Sequence, residues 1–229
     1  MTHDKMGRNL NMKDLPKDLL RFLMQDNMHL MNFFDYSETN EFPILKPYQS
    51  KDLLPEVFSY KERRRHTANP WAVHFFAEDY TIIHSVTDKL EKTTSEISGC
   101  DLVFAPDISL YADLPNLQNK YNIFRSRLAA AYWQHCGLNV IQTASWANAD
   151  SLKYCFEGLA EKSDTAVCGV GHNRNRQMKR LWDYALEKLT EEKSPTKLFI
   201  YGDPEEKLPD LGIPVVFIQD FITKRLRKL

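Results

Sequence analysis

The apolar positions of this chain fall into short runs that are separated by longer polar or amphipathic stretches. Six of these runs contain four to six residues each and are rich in β-branched or aromatic residues, as strands are. They are WAVHFF (71–76), LVFA (102–105), NVIQ (139–142), TAVC (165–168), KLFIY (197–201) and PVVFI (214–218). Stretches long enough for a helix separate the first five runs. The pattern therefore predicts strands that alternate with helices.

These runs lack the hydrophobic–polar alternation of a strand with one solvated face, which indicates strands that are covered on both faces. Short strands that alternate with helices are typical of βαβ units. The sequence thus predicts an α/β fold with a mostly parallel sheet of five or six strands and flanking helices. The sheet is either Rossmann-like or an incomplete β/α barrel. The predicted domains are an N-terminal helical arm (1–40) and a single α/β domain (41–229), with residues 35–69 expected to be connecting chain.

Two helices stand out in the pattern. The first is predicted from Asp14 to Phe34, and its methionines suit a core or a partner groove. The second is predicted from Asn116 to His135, with Gly137 placed as a C′ glycine. Arg125 and Arg127 lie at opposite shoulders of its apolar stripe, so they are not expected to converge on one site. The predicted stripe consists of Leu117, Tyr121, Phe124, Leu128, Ala131 and Tyr132.

Composition narrows the class of protein. The chain has 229 residues, 43% of them hydrophobic, and a formal charge of -1, which supports a substantial core without a field that attracts nucleic acid or membranes. No apolar run approaches the roughly 20 residues of a membrane span, and the polar N-terminus lacks the apolar centre of a signal peptide. The four cysteines form no C-x-x-C pair, and we expect buried thiols in an intracellular protein without a membrane partner.

Polar residues follow each predicted strand, where parallel sheets and barrels bind their ligands. Asp79, Asp107 and Asp113 are the candidate catalytic carboxylates. Each has a structural alternative: Asp79 can stabilise a helix N-terminus, Asp107 a turn, and Asp113 the start of the next helix. The candidate ligand-binding residues are Ser109, Tyr111, Asn122, Arg125, Trp146, Gly169, Gly171 and Arg174.

The segment TAVCGVGHNRNRQMKR (165–180) places Gly-Val-Gly between a predicted strand and a predicted helix. Backbone N–H groups of such a turn, together with Arg174, can hold an anion. The segment lacks the third glycine of the dinucleotide fingerprint and the Gly-Lys-Ser/Thr ending of a P-loop. A tight turn that uses glycine at positive φ remains the alternative.

Other chemistry has less support in the sequence. The histidines are scattered, so we predict no metal site, and the sequence assigns no cofactor. Ser109 and Ser145 have no evident histidine partner, and Ser109 is outside a G-x-S-x-G elbow, which argues against a serine hydrolase. The basic run from Lys61 to Arg65 is either a solvated helix end or a patch that contacts phosphate.

Three sequence segments follow one another along the chain: APDISLYADLP (105–115), YNIFRSRLAAAYWQHCGLNVIQTASWANADSLKYCFEGL (121–159) and TAVCGVG (165–171). Together they resemble the family catalogued as domain of unknown function 4417, over most of the chain. The resemblance assigns no activity, but it implies a mobile-element setting and hence a bacterial or phage-infected cytoplasm. Gly169 and His172 depart from the family pattern, which has a hydroxyl and a thiol there. The matching candidate residues are Asp79, Asp107, Ser109, Tyr111, Asp113, Asn122, Arg125, Trp146 and Gly171.

Two functions of different classes follow, and whether the protein is an enzyme stays open. In the first, the strand ends bind or process a phosphorylated small molecule or a nucleic acid, with Asp107 as base or metal ligand. In the second, a non-catalytic phage protein binds a host or phage protein through its Met-rich N-terminal helix. A nucleic-acid accessory has less support, because the net charge is near zero and no helix-turn-helix or zinc motif occurs.

Overall fold

Seven strands and five α-helices alternate along the residues that the computed structural model describes, which are 16–51, 55–65, 70–172, 174–203 and 207–218. The strands are β1 (Glu56–Ser59), β2 (Trp71–His74), β3 (Leu102–Phe104), β4 (Val140–Ala144), β5 (Thr165–Cys168), β6 (Leu198–Tyr201) and β7 (Val215–Ile218). The helices are α1 (Lys17–Met24), α2 (Asp79–Ser85), α3 (Leu90–Ile97), α4 (Asn116–His135) and α5 (Arg176–Lys193). Short 3₁₀ helices cover Gln25–Phe33, Tyr60–Arg65, Thr87–Lys89 and Ser151–Lys153.

The strands form one parallel sheet in the sequential order β1 to β7. Crossovers between parallel neighbours are almost always right-handed, which puts the connecting helices on one face, and the sheet curls around the other. The ring of Phe104 on β3 lies 5.5 Å from that of Phe199 on β6, and the ring of His74 on β2 lies 4.9 Å from that of Tyr201 on β6. In a flat sheet, four strand spacings would separate β2 from β6 by about 19 Å. The predicted α/β fold is confirmed, and the curl is that of an incomplete β/α barrel.

Both faces of the sheet are covered, as the unbroken apolar runs predicted. Val73 on β2 packs outward in the core beneath the helices, which also contains Trp133 of α4. Ala72 on the same strand packs inward, in a second cluster with Phe104 and Phe199. Alternate residues of β2 therefore reach two different apolar layers, which is why the sequence of this strand does not alternate between hydrophobic and polar residues.

The sheet has seven strands where five or six were predicted, because β1 lies in the segment expected to be connecting chain. Its four residues are exposed or half-buried and pair only with β2 at the edge of the sheet. Such a short edge strand lacks the buried apolar run that identified the others.

The predicted helix from Asp14 to Phe34 is interrupted. Its first residues lie outside the described part of the chain, α1 ends at Met24, and the chain turns at Asp26 and Asn27, whose φ angles are 52° and 57°. Tertiary contacts hold this kink, because Tyr121 Oη donates to the Asp26 carboxylate and the Asn27 amide donates to the Thr87 carbonyl at 2.5 Å. Beyond the kink, Leu30 packs into the main core, and the predicted boundary after residue 40 stays a prediction.

The bounds predicted for α4 are confirmed, and Gly137 follows it with a φ of 86°. Its buried face differs from the predicted stripe: Leu117 is 79% exposed, whereas Arg127 is 2% exposed. The hydrogen bonds of the polar residues on this helix explain the difference, as described for the site below. None of the four cysteines forms a disulfide, but only Cys155 is buried, and Cys136 is exposed at the end of α4.

Candidate functional site

A cavity of about 430 Å³ opens where β3, β4 and β5 end. The connections that follow these strands lie side by side, because neighbouring parallel strands end at the same edge of the sheet. Six of the predicted site residues line the cavity: Asp107, Ser109, Tyr111, Trp146, Gly171 and Arg174. The structure therefore brings together the connections after β3, β4 and β5 that the sequence selected.

Asp107 is the carboxyl group of this cavity. Its carboxylate accepts hydrogen bonds from the Ser145 hydroxyl and from the Cys168 thiol. Burial raises the pKa of Asp107 from 3.8 to about 6, against the lowering effect of these two hydrogen bonds and with a further increase from the charge of Asp79. A carboxyl with this pKa can both donate and accept a proton near neutral pH.

Polar side chains of α4 hold the connection from β3 in place. Asn119 accepts from the Tyr111 N–H at 2.9 Å and donates to the Tyr111 carbonyl at 2.8 Å. Asn122 donates to the Ser109 carbonyl at 2.8 Å, and Ser126 donates to the carbonyl of Pro106 at 2.5 Å. Asn122 therefore supports the wall of the cavity from behind, and it does not line the cavity.

Asp79 anchors the same connection from α2. One of its carboxylate oxygens accepts from the Ser109 N–H at 2.9 Å, and the other accepts from the Tyr111 hydroxyl at 2.6 Å. Asp79 does not line the cavity, and neither does Asp113, which is exposed in the turn before α4. Of the three candidate catalytic carboxylates, the structure places only Asp107 in the cavity.

The two arginines of α4 lie outside the cavity. Arg125 donates to the Asn122 side chain at 2.6 Å, and its guanidinium lies 4.7 Å from the ring centroid of Tyr121. Arg127 is buried and donates to the carbonyls of Thr143 at 2.7 Å and Cys155 at 3.0 Å. The expectation that these arginines do not converge is confirmed, and neither reaches the cavity.

The turn between β5 and α5 forms one side of the cavity. Gly169, which does not line the cavity, pairs through its N–H with the Tyr201 carbonyl at 2.8 Å. Gly171 has a φ of 86°, and a Cβ there would lie 3.2 Å from Arg174 Nε, so glycine allows the guanidinium to approach the turn. Asn175 caps α5 by accepting from the Met178 N–H at 2.9 Å. Arg174 has no carboxylate partner among the described residues, and it lies at the positive end of the helix dipole.

Aromatic rings form another side of the cavity. The ring centroid of Trp146 lies 5.0 Å from that of Trp182, and His172 stacks on Trp182 with the ring centroids 4.2 Å apart. The Trp182 indole N–H is buried, and it has no acceptor among the described residues. Sequence reasoning missed Cys168 and Trp182 as site residues. Cys168 directly precedes the glycine turn, which was an available signal, whereas Trp182 lies two turns into α5 and had none.

Carboxylates neutralise part of the positive charge of the basic run from Lys61 to Arg65. Arg63 forms an ion pair with Glu96 at 2.6 Å and lies 3.9 Å from the ring centroid of Tyr60. Lys61 pairs with Glu78 at 3.1 Å. Within the described ranges, no group of three or more His, Cys, Asp or Glu side chains is arranged to hold a metal ion. In the same part of the chain, no helix has the length and apolarity needed to cross a membrane.

Comparisons with known proteins relate the chain to phages. The family model described as Domain of unknown function (DUF4417) matches residues 34–219. The Gene 1 protein of Mycobacterium phage L5 is 30% identical over 195 residues, which are 83% of this chain and 83% of that protein. The Gene 1 protein of Mycobacterium phage D29 is 30% identical over 178 residues, which are 77% of this chain and 66% of that protein. No solved structure matches the chain.

Proposed function

The chain belongs to the family described as Domain of unknown function (DUF4417), and because that description assigns no activity, we propose a function from the cavity. The protein binds a phosphorylated small molecule at the carboxyl ends of β3, β4 and β5. One observation carries this proposal: Asp107, Trp146 and Arg174 come from three separate connections and line one space of about 430 Å³. Sites for small molecules usually have volumes in this range. The mycobacteriophage relatives support a bacterial or phage-infected cytoplasm as the location.

The phosphate is bound at the side of the cavity formed by Gly171 and Arg174. A guanidinium with no carboxylate partner among the described residues is available for an anion, and its planar donors match phosphate oxygens. The N-terminus of α5 adds a favourable dipole at the same side.

The organic part of the ligand packs against Trp146. This side chain is half-buried, and it lines the cavity together with the apolar side chains of Leu110 and Leu181. A planar ring on Trp146 would gain about 1–3 kcal/mol from stacking. Asp107 lines the same cavity, and its pKa of about 6 suits the transfer of a proton to or from the ligand.

Thermal unfolding with inorganic phosphate, nucleoside monophosphates and sugar phosphates tests the proposal. A compound at 100 times its Kd should stabilise the protein by about 2.7 kcal/mol. For a chain of this length, that corresponds to an increase of about 5–10 °C in Tm. If no phosphorylated compound raises the Tm, the proposed function is wrong.

Two variants test separately how the phosphate and the organic part of the ligand are bound. Arg174→Gln should abolish the response to phosphate and to every phosphorylated compound. Trp146→Leu should weaken the response to nucleoside monophosphates and keep the response to inorganic phosphate. Arg180→Gln is the matched control, because Arg180 is exposed on α5 and does not line the cavity. Equal responses of the Arg174 and Arg180 variants would contradict the assignment of the phosphate side.

Exposed apolar side chains near the N-terminus favour a second candidate function, the binding of a host or phage protein. Leu19 on α1 is 43% exposed, and Met24 at its end is 51% exposed. A double variant, Leu19→Lys with Met24→Lys, should keep the Tm of the wild type, because neither side chain is buried. It should lose any protein that the wild type captures from an infected host. Undiminished capture by the double variant would exclude this surface.

A further inference from the structure

The connection between β5 and α5 has the thiol of Cys168 at one end and the guanidinium of Arg174 at the other. Cys168 is the last residue of β5, and Arg174 directly precedes Asn175, which caps α5. Both side chains line the cavity. Between them, Gly171 adopts positive φ and leaves space for Arg174. A nucleophilic group and an anion-binding group therefore border one space at the positive end of a helix.

We infer that Cys168 is the nucleophile in the hydrolysis of a phosphomonoester, with Asp107 as the base that receives the thiol proton and Arg174 as the residue that binds the phosphoryl oxygens. The inference rests on the proposed function, because it assigns a substrate class and a reaction to the same cavity. It concerns Cys168, which no motif in the sequence had selected.

The contact between Cys168 and Asp107 supplies the route for the proton. The thiol donates a hydrogen bond to the Asp107 carboxylate, which also accepts from Ser145. Burial raises the pKa of Asp107 to about 6, closer to the ordinary pKa of a thiol, which is about 8.5. The proton therefore passes from the sulfur to Asp107 as the sulfur attacks the bound substrate.

In the first step, the Cys168 sulfur forms a bond to phosphorus while its proton passes to Asp107. The bond between phosphorus and the ester oxygen breaks, and the leaving oxygen keeps the electron pair of that bond and takes a proton from solvent. Arg174 and the N-terminus of α5 stabilise the negative charge of the transferring phosphoryl group. The products of this step are an alcohol or phenol and a phosphorylated Cys168.

In the second step, water attacks phosphorus and the sulfur–phosphorus bond breaks. The departing sulfur recovers the proton held by Asp107, and the water loses one proton to solvent. The net reaction consumes one phosphomonoester and one water and releases one alcohol or phenol and one inorganic phosphate. No redox change or further reactant is required.

Turnover of p-nitrophenyl phosphate, phosphotyrosine and nucleoside monophosphates by the full chain tests the inference. Cys168→Ser and Cys168→Ala should reduce hydrolysis to background while keeping the rise in Tm with inorganic phosphate, and that rise also shows that each variant is folded. Asp107→Asn should lower the rate by about 10²–10⁴-fold. Cys136→Ser is the matched control and should keep the wild-type rate, because Cys136 is exposed beyond α4 and away from the cavity.

Acid quenching during turnover, followed by peptide mass spectrometry, should find one phosphoryl group on Cys168 and none on Cys136. Hydrolysis that persists in both Cys168 variants would overturn the inference, and so would phosphate binding by the wild type without turnover of any monoester. Both of these results leave the proposed binding function standing. Absence of binding and of turnover would remove the proposed function as well.

Discussion

Replacing Asp107 with Asn should stabilise the protein at neutral pH. In the folded chain, burial raises the pKa of Asp107 from 3.8 to about 6, so folding favours the protonated carboxyl. The stability that this group contributes is therefore fully present below pH 3.8 and is lost as the pH rises through 6. Asn cannot ionise, and its side-chain oxygen can still accept from Ser145 and Cys168.

The magnitude follows from the two pKa values. Each unit of difference between the folded and unfolded pKa corresponds to about 1.4 kcal/mol. At pH 8 the variant should therefore exceed the wild type by about 3 kcal/mol in free energy of unfolding. At pH 4 the difference should fall below about 1 kcal/mol, because the wild-type carboxyl is then protonated in the folded chain.

Urea unfolding of both proteins between pH 4 and pH 8 measures this difference, and the titration of all other groups cancels between them. Asp113→Asn is the control, because Asp113 is exposed and outside the cavity, and its difference from the wild type should not change with pH. A difference for Asp107→Asn that is flat with pH would refute the reasoning. A difference of the opposite sign would mean that the hydrogen bonds from Ser145 and Cys168 outweigh burial.

Three further substitutions test parts of the fold that support the cavity. Gly171→Ala should cost about 1–2 kcal/mol and weaken phosphate binding in calorimetry, since a Cβ there would lie 3.2 Å from a guanidinium nitrogen; Gly99→Ala, with no atom within 4 Å, should change neither. Asn119→Ala should cost about 1–3 kcal/mol and speed hydrogen exchange at Tyr111, and unchanged protection there would contradict its anchoring role. Arg127→Lys should lower stability in urea by about 1–3 kcal/mol, because lysine lacks the planar fork that places a separate nitrogen on each carbonyl, and an unchanged urea midpoint would contradict this.

The family and the sheet could be predicted from the sequence for a local reason. Each buried parallel strand needs a short apolar run, and runs such as Leu102–Phe104 and Leu198–Tyr201 have the length and the aromatic or β-branched residues of a strand. The exposed edge strand β1 carries no such run, so it was missed. The kink at Asp26 and Asn27 was also missed, because contacts to residues about 60 and 95 positions away hold it.

Some features of the candidate site could also be predicted from the sequence, and others could not. Asp107 and Gly171 could be predicted because each directly follows a strand or lies in a turn with its own sequence signal. The positions of Asp79, Asn122 and Arg125 outside the cavity could not be predicted, because a polar residue that anchors a loop looks the same in a sequence as one that binds a ligand. The hydrogen bonds of Asp79 to Ser109 and Tyr111 distinguish the two only after folding.

By itself, the sequence determined six of the seven described strands, that they alternate with helices, and that polar residues follow them. These properties depend on side-chain periodicity over a few neighbouring residues. Only the tertiary structure decided that the sheet curls, that Asp107, Cys168 and Arg174 border one cavity, and that Arg125 lies outside it. Those outcomes depend on packing between residues that are far apart in the chain. Burial and distance set the pKa of Asp107 and the hydrogen-bond partners of each polar group, and both are defined only once the strands are assembled.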